Sequence, residues 1–270
     1  MLLKNKVIII TGASKGLGVA MAEVCAQQGA RVVMAARSKG LLEELESKIK
    51  KAGGEALSVI CDVSKPADLK HLVESAVDAF GRIDGLINNA GVNYVKSALE
   101  VTEEEWDRVM AVDLKGSFFL TQLCARQMLK QKDPGGSIVQ IASVHTHASL
   151  EGAAPYDAAK CGMVGFSKAV AVELADKGVR VNVLSPGLCR TEIWKDIVAA
   201  APSESECWDY WNANIPAKKL IEPEEIANAC LFLLSDLSSS ITGANLMADH
   251  GMTSLLVSRE PYASKSIEGG

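Results

Sequence analysis

From its first residues the chain alternates short β-branched runs with amphipathic stretches: Val7 to Ile10 then Gly16 to Gln28, Arg31 to Ala35 then Leu41 to Ala52, Ala56 to Cys61 then Ala67 to Phe80. The rhythm continues through Ile83 to Asn88, a long helical stretch from Glu103 to Leu129, Ser137 to Ile141, a helix from Tyr156 to Asp176, and Val179 to Leu184. An irregular segment, Leu188 to Leu220, interrupts it before a helix over Glu224 to Leu234 and a last strand around Asn245 to Ala248. Such alternation is the signature of right-handed βαβ units around a parallel sheet. The strand runs are apolar on both faces (Val-Ile-Ile-Ile, Gly-Leu-Ile, Val-Asn-Val-Leu), as expected for a doubly wound α/β sheet with helices on both sides. With 270 residues, 48% hydrophobic and no Pro/Ser-rich linker, residues 1–270 read as a single domain with one core.

Several function classes are disfavoured by the same reading. The longest apolar run near the start, Val7 to Ile10, is far too short for a signal-peptide core or a membrane span, so a soluble, cytoplasmic protein is expected. Seven cysteines without a Cys-x-x-Cys argue against a complete disulfide framework. A net charge of -5 disfavours a broad phosphate-binding surface, and with it nucleic acid as a partner. An anionic cofactor can still bind through a few local cations.

Gly12, Gly16 and Gly18 lie between the first strand and the first helix. Close backbone approach and free helix N-terminal N–H groups favour a pyrophosphate there. The spacing is Gly-x-x-x-Gly-x-Gly, and on its own it also fits an ordinary glycine-rich turn. Asn88-Asn89-Ala90-Gly91, directly after the fourth strand run, tips the balance towards a nucleotide site. Downstream, Tyr156 and Lys160 share one helix face at i,i+4, so the ammonium can favour the phenolate electrostatically. A free phenol ionises near pH ~10, too high for an efficient base at neutral pH, and the neighbouring cation is what such chemistry requires. Ser143, after the fifth strand run, can donate to a substrate carbonyl oxygen and stabilise developing alkoxide charge.

Taken together, Thr11-Gly12-x-x-x-Gly16-x-Gly18, Cys61-Asp62-Val63, Asn88-Asn89-Ala90-Gly91, Ser143, Tyr156-x-x-x-Lys160 and Pro186-Gly187-x-x-x-Thr191 occur in the order of the short-chain dehydrogenase/reductase family. The chain resembles that family from Val7 to about Met252. The resemblance implies a seven-stranded, Rossmann-type doubly wound sheet, a nicotinamide cofactor across the strand ends, a secondary alcohol or carbonyl as substrate, and usually a homotetramer. It implies that Tyr156 exchanges the proton while the nicotinamide exchanges hydride, and that Lys160 also binds the nicotinamide ribose. It places Asp62 on the adenine, Asn89 between ribose and sheet, and Thr191 on the carboxamide or phosphates. Ser14, Leu17, Val63, Ala90, Gly91, Pro186 and Gly187 join them around the cofactor. One position departs from the pattern. Where the family usually has Asn in Val-Asn-x-x-Gly, this chain has Val112-Asp113-Leu-Lys-Gly116. Asp113 either substitutes in the proton relay or pairs with Lys160 and weakens its hold on Tyr156.

Cofactor choice is argued at the end of the second strand run. An NAD-selective enzyme usually places a carboxylate there for the ribose 2'-hydroxyl. Here Ala36 occupies the position, Arg37 follows, and Lys15 can approach the same side, giving two cations for one phosphate dianion. NADP is expected over NAD; in the alternative reading Arg37 only caps the turn and stacks on adenine.

For the substrate, His145 and His147 follow Ser143, and His145 is the candidate for hydrogen bonding to substrate hydroxyls. His-x-His without a third ligand makes a metal site a poor reading. Leu188 to Leu220 is the candidate lid; it holds three of the four tryptophans, Trp194, Trp208 and Trp211, which either face the substrate or pack the lid onto the body. Tyr94 and Asn93 lie within reach of the same cleft. A sugar, polyol or related hydroxy compound is the expected substrate, ahead of a bulky hydrophobic ketone (steroid or terpenoid) and a 3-oxoacyl thioester. A non-catalytic alternative, an NADP-binding redox sensor, is expected to have lost Tyr or Lys, and both are present. The tail from Ser258 to Gly270 either frays or closes a neighbouring subunit's pocket.

Overall fold

The computed structural model describes residues 1–256. The tail 258–270 therefore lies outside the described residues. The strands are β1 (Val7–Thr11), β2 (Arg31–Ala36), β3 (Glu55–Ile60), β4 (Gly85–Asn88), β5 (Gly136–Ile141), β6 (Val179–Pro186) and β7 (Asn245–Ala248). They form one seven-stranded sheet in the order β3-β2-β1-β4-β5-β6-β7, every pair parallel. Helices α1 (Gly16–Gln27), α2 (Lys39–Lys51), α3 (Pro66–Phe80), α4 (Glu103–Val109), α5 (Ser117–Lys130), α6 (Ala154–Leu174), α7 (Ile193–Ala200), α8 (Glu204–Ala213) and α9 (Pro223–Leu234) connect them.

Alternation along the strands sorts the core into two layers. Ile8, Ile10, Val32 and Met34 pack against Met21 and Cys25 of α1, Leu42 and Ile49 of α2, and Ala227 and Cys230 of α9. Val7, Ile9, Val33 and Ala35 face Leu69 and Leu72 of α3, Leu120 and Cys124 of α5, and Ala171 of α6. Each fully buried aliphatic side chain of this kind contributes about 1.5–3 kcal/mol. The Cys25 thiol is pushed up to about 12 by burial, so it is an inert packing group.

Strand order reverses at β1 and β4, which lie side by side with their carboxyl ends adjacent. Open α/β sheets bind ligands in the crevice at such a switch point. Two elements differ from the sequence reading. The stretch Glu103 to Leu129 is not one α-helix: α4 starts on a Thr102 capping box with Glu105, widens into a π turn at Met110–Gly116, and resumes as α5. The turn seats Gly116 where any Cβ would stand 2.4 Å from the Val63 carbonyl oxygen, so helix and β3 loop meet backbone to backbone. The second difference is at 188–220, which reads as irregular but holds α7 and α8. The side chain of Ser203 caps α8 by accepting from the Glu206 N–H at 3.2 Å. Trp194, Ile215 and Leu220, with Leu188, Ile197, Trp208 and Trp211, give the segment its own small apolar core.

Candidate active site

Two cavities open at the carboxyl ends of the strands. The first, about 520 Å³, runs over the β1–α1 loop. Of the predicted cofactor residues, Gly12, Ser14, Lys15, Gly16, Leu17, Arg37, Asp62, Val63, Asn89, Ala90, Gly91 and Thr191 line it. Gly12 and Gly16 take positive φ (66° and 51°), and a Cβ on Gly18 would stand 2.3 Å from the Gly12 carbonyl oxygen. The loop thus folds tightly onto the start of α1. Lys15 gives that helix no side-chain cap, which leaves its first N–H groups for an anion. This uncapped glycine cradle fits the pyrophosphate of a dinucleotide.

The groove's other walls are equally specific. The Asn89 amide donates to the Thr11 carbonyl at 3.0 Å and the Gly12 carbonyl at 3.3 Å, tying the β4 end to the glycine loop. Asp62 accepts from the Ser64 hydroxyl at 2.7 Å and N–H at 3.1 Å; the hydroxyl bond leads in holding its carboxyl below the ordinary range. Sequence reading missed Glu192, which lines the cavity and pairs with Lys15 at 3.7 Å across two exposed side chains. It sits one residue past Thr191, which is the only sequence signal that pointed near it.

The second cavity, about 620 Å³, contains Ser143, Tyr156, Lys160, Asp113, His145, Tyr94, Asn93, Pro186, Gly187, Trp194 and Trp211. Trp208 and His147 do not line it. Trp208 packs behind Trp194 with ring centroids 5.3 Å apart and under the Arg190 guanidinium. His147 is exposed and meets the Thr146 hydroxyl at 3.0 Å. Leu17, Asn89, Gly91, Val92 and Thr191 line both cavities, so they are contiguous.

The Ser143 hydroxyl oxygen accepts from the His145 N–H at 3.3 Å, which leaves its hydrogen free to donate. Lys160, on α6, is buried; its ammonium donates to the Ile141 carbonyl at 3.1 Å and lies 5.3 Å from the Tyr156 ring centroid. Asp113, wholly buried in the π turn, accepts from the Val92 N–H at 2.8 Å and places its other oxygen 3.2 Å from the ammonium. That contact is a charge pair off hydrogen-bond alignment, for the oxygen has no aligned donor among the described residues. Gly91 makes room for it: a Cβ there would stand 2.9 Å from the same oxygen. Burial pulls the Lys160 ammonium down, but Tyr156 and then Asp113 together outweigh it and hold the group above its ordinary value. Of the two expectations for Asp113, pairing with Lys160 is the one the geometry displays.

His145, expected at the substrate, has a partner the sequence did not foretell. Its Nδ1 lies 2.5 Å from the Asp157 carboxylate, whose second oxygen accepts from the Ser149 hydroxyl, and its ring stands edge-on to Tyr156 at 5.2 Å between centroids. Tyr94 has a buried hydroxyl beside Glu105; desolvation first, then that carboxylate, pushes it upward.

A dinucleotide-shaped groove opening onto a phenol, an ammonium and a free hydroxyl donor defines an oxidoreductase of alcohols and carbonyls. A family profile described as enoyl-(acyl carrier protein) reductase matches residues 12–253. An (S)-acetoin-forming diacetyl reductase from Staphylococcus epidermidis is 36% identical over 254 residues, covering 92% of this chain and 98% of its own. A 3-oxoacyl-(acyl-carrier-protein) reductase from Thermotoga maritima is 36% identical over 252 residues, covering 93% and 99%. A short-chain type dehydrogenase/reductase from Mycobacterium marinum superposes with a TM-score of 0.86 at 34% identity, covering 93% and 96%. An actinorhodin polyketide ketoreductase solved with NADPH gives 0.87 at 31%, covering 93% and 98%. The chain belongs to the short-chain dehydrogenase/reductase family, nicotinamide-dependent oxidoreductases of alcohol and carbonyl groups.

Proposed function

We propose that this protein interconverts a secondary alcohol and a ketone or aldehyde with NADP, acting on a small hydroxy compound such as a sugar or polyol. The observation that carries the reading is the junction of the two cavities, with Tyr156, Lys160 and Ser143 grouped beside it. A nicotinamide cofactor, if held by the residues of the first cavity, would supply or take up the hydride. Tyr156 gives its phenolic proton to the carbonyl oxygen in reduction and takes the hydroxyl proton in oxidation. Ser143 donates to the same oxygen, and Lys160 favours the phenolate and holds ribose hydroxyls. Asp113 pairs with Lys160 and tempers its hold on Tyr156.

NADP is supported by Ala36 and Arg37 at the β2 end, both lining the first cavity with Lys15. Two cations facing a 2'-phosphate form charge-assisted bonds that NAD cannot. The polar lining from His145 and Asn93 supports a hydroxylated substrate, and the diacetyl reductase relative supports a small one. A second reading, a bulky ketone or acyl thioester, draws on the apolar Trp194, Trp211, Leu150 and Ile197 and on the acyl-carrier and polyketide relatives. The reading is tested by specificity constants for both cofactors against sugars, polyols, small hydroxyketones, steroids and keto esters, followed at the reduced-nicotinamide absorbance. A clear NAD preference overturns the cofactor assignment. Turnover of the steroids or thioesters alone overturns the substrate, and no turnover at all returns the redox-sensor reading.

A further inference from the structure

We infer that His145, held by Asp157, selects substrates with a hydroxyl on the carbon next to the reacting one: an α-hydroxy ketone in reduction, a vicinal diol in oxidation. The inference rests on the proposed role of Tyr156. A carboxylate offers only acceptors, so the 2.5 Å contact puts the proton of the neutral imidazole on Nδ1. Asp157 cannot readily turn away, because the Ser149 hydroxyl donates to its other oxygen.

With Nδ1 committed, Nε2 is the one polar atom the ring can offer to whatever fills the second cavity, and it has no partner among the described residues. In the neutral ring Nε2 is an acceptor. It therefore takes a hydrogen bond from a hydroxyl, and neither a second carbonyl nor a methyl group can supply one. Placement sets which hydroxyl is read. The imidazole stands edge-on to the Tyr156 ring, and its backbone N–H reaches Ser143, so the group it binds adjoins the oxygen that Tyr156 and Ser143 bind. A hydroxyl at the far end of a long substrate lies elsewhere. Asp157 is the positioning residue of this pair, and His145 the one that meets substrate.

The test compares hydroxyacetone with butanone, in which a methyl group replaces the hydroxyl, measuring kcat and KM separately with the cofactor that supports turnover. The wild type is expected to favour hydroxyacetone. In His145→Phe, which keeps a ring and loses the acceptor, the ratio of kcat/KM values is expected to fall about tenfold, the worth of one hydrogen bond. His145→Gln retains an acceptor and is expected to recover most of the ratio. Asp157→Ala lowers it part way, and Asp157→Asn, whose amide carbonyl still accepts from Nδ1, preserves it. As a readout without turnover, propylene glycol binding to the protein with reduced cofactor, which leaves the alcohol no hydride acceptor, followed by ligand-observed NMR, is expected to weaken in His145→Phe more than isopropanol binding does. A ratio equal in His145→Phe and wild type, or a wild type that reduces other ketones but not hydroxyacetone, overturns the inference alone. A wild type that turns over no carbonyl or alcohol overturns the proposed function and this inference with it.

Discussion

At the scale of single residues the site is a chain of charges ending on one phenol. Tyr156→Phe removes only the phenolic hydroxyl, so turnover is expected to drop by about a hundred to ten thousand-fold, with cofactor binding retained; rapid-mixing kinetics and fluorescence titration check the two halves. Asp113→Asn tests the charge behind it. Asn is nearly the same shape and keeps an acceptor for the Val92 N–H, but it leaves the buried Lys160 ammonium without its counter-charge. Breaking such a pair by removing one partner costs about 3 kcal/mol of stability, which denaturant unfolding measures. The released ammonium acts more fully on Tyr156, so kcat is expected to rise severalfold in the same variant. These residues were legible because the chemistry needs their types at those spacings. The Asp157 hold on His145 was not, although Asp157 directly follows Tyr156. It depends on the loop after β5 folding back onto the first turn of α6, a contact no local pattern encodes.

Between strand and helix, the elements that bear the site are those whose regularity is broken. Gly116 has no room for a side chain against the Val63 carbonyl. Gly116→Ala is therefore expected to push the π turn off the β3 loop, destabilise the fold by about 1–3 kcal/mol, and lower kcat through displaced Asp113; urea unfolding and steady-state kinetics report both. Sequence periodicity found the helix over 103–129 and passed over its π turn, since one wide turn leaves no compositional mark. It also passed over α7 and α8, whose apolar residues serve a local core rather than the main one. The loop after β4 is held by Lys96 and Glu105 at 2.8 Å. The Lys96 bond first, then the Thr102 N–H, lowers the Glu105 carboxyl to about 2. A depressed carboxyl stabilises fully above its ordinary value of 4.5 and loses that contribution as pH falls through about 2. Amide exchange over residues 92–102 is expected to accelerate in that acid window, and Lys96→Met is expected to weaken the dependence, leaving the part that the Thr102 N–H supports.

Over the whole molecule, the βα rhythm gave away the architecture because the central strands had to be apolar on both faces and the helices on one. The resemblance supplied the seven-stranded doubly wound sheet, but the order of strands was not legible, since periodicity cannot say which strands neighbour each other. Assembly belongs to this scale too. Phe119 of α5 and Val172 of α6 are exposed, the latter at 81%. A tetramer burying them is expected by light scattering, with Val172→Asp shifting the mass downwards. The π turn has a last effect at this scale, on the phase of the helix that carries it. Val109 and Leu120 are eleven residues apart, three turns at about 3.6 residues each, and in an unbroken α-helix they would point the same way. Instead Val109 joins Tyr94 and Ala159 beneath the substrate cavity, while Leu120 joins the core under the sheet. One surplus residue lets a single rod address two compartments. Deleting one residue of the turn would restore regular winding and keep both faces in phase, ten residues at about 100° each, so that variant should be helical by circular dichroism and still melt cooperatively, with turnover lowered as the widened turn that seats Asp113 is lost.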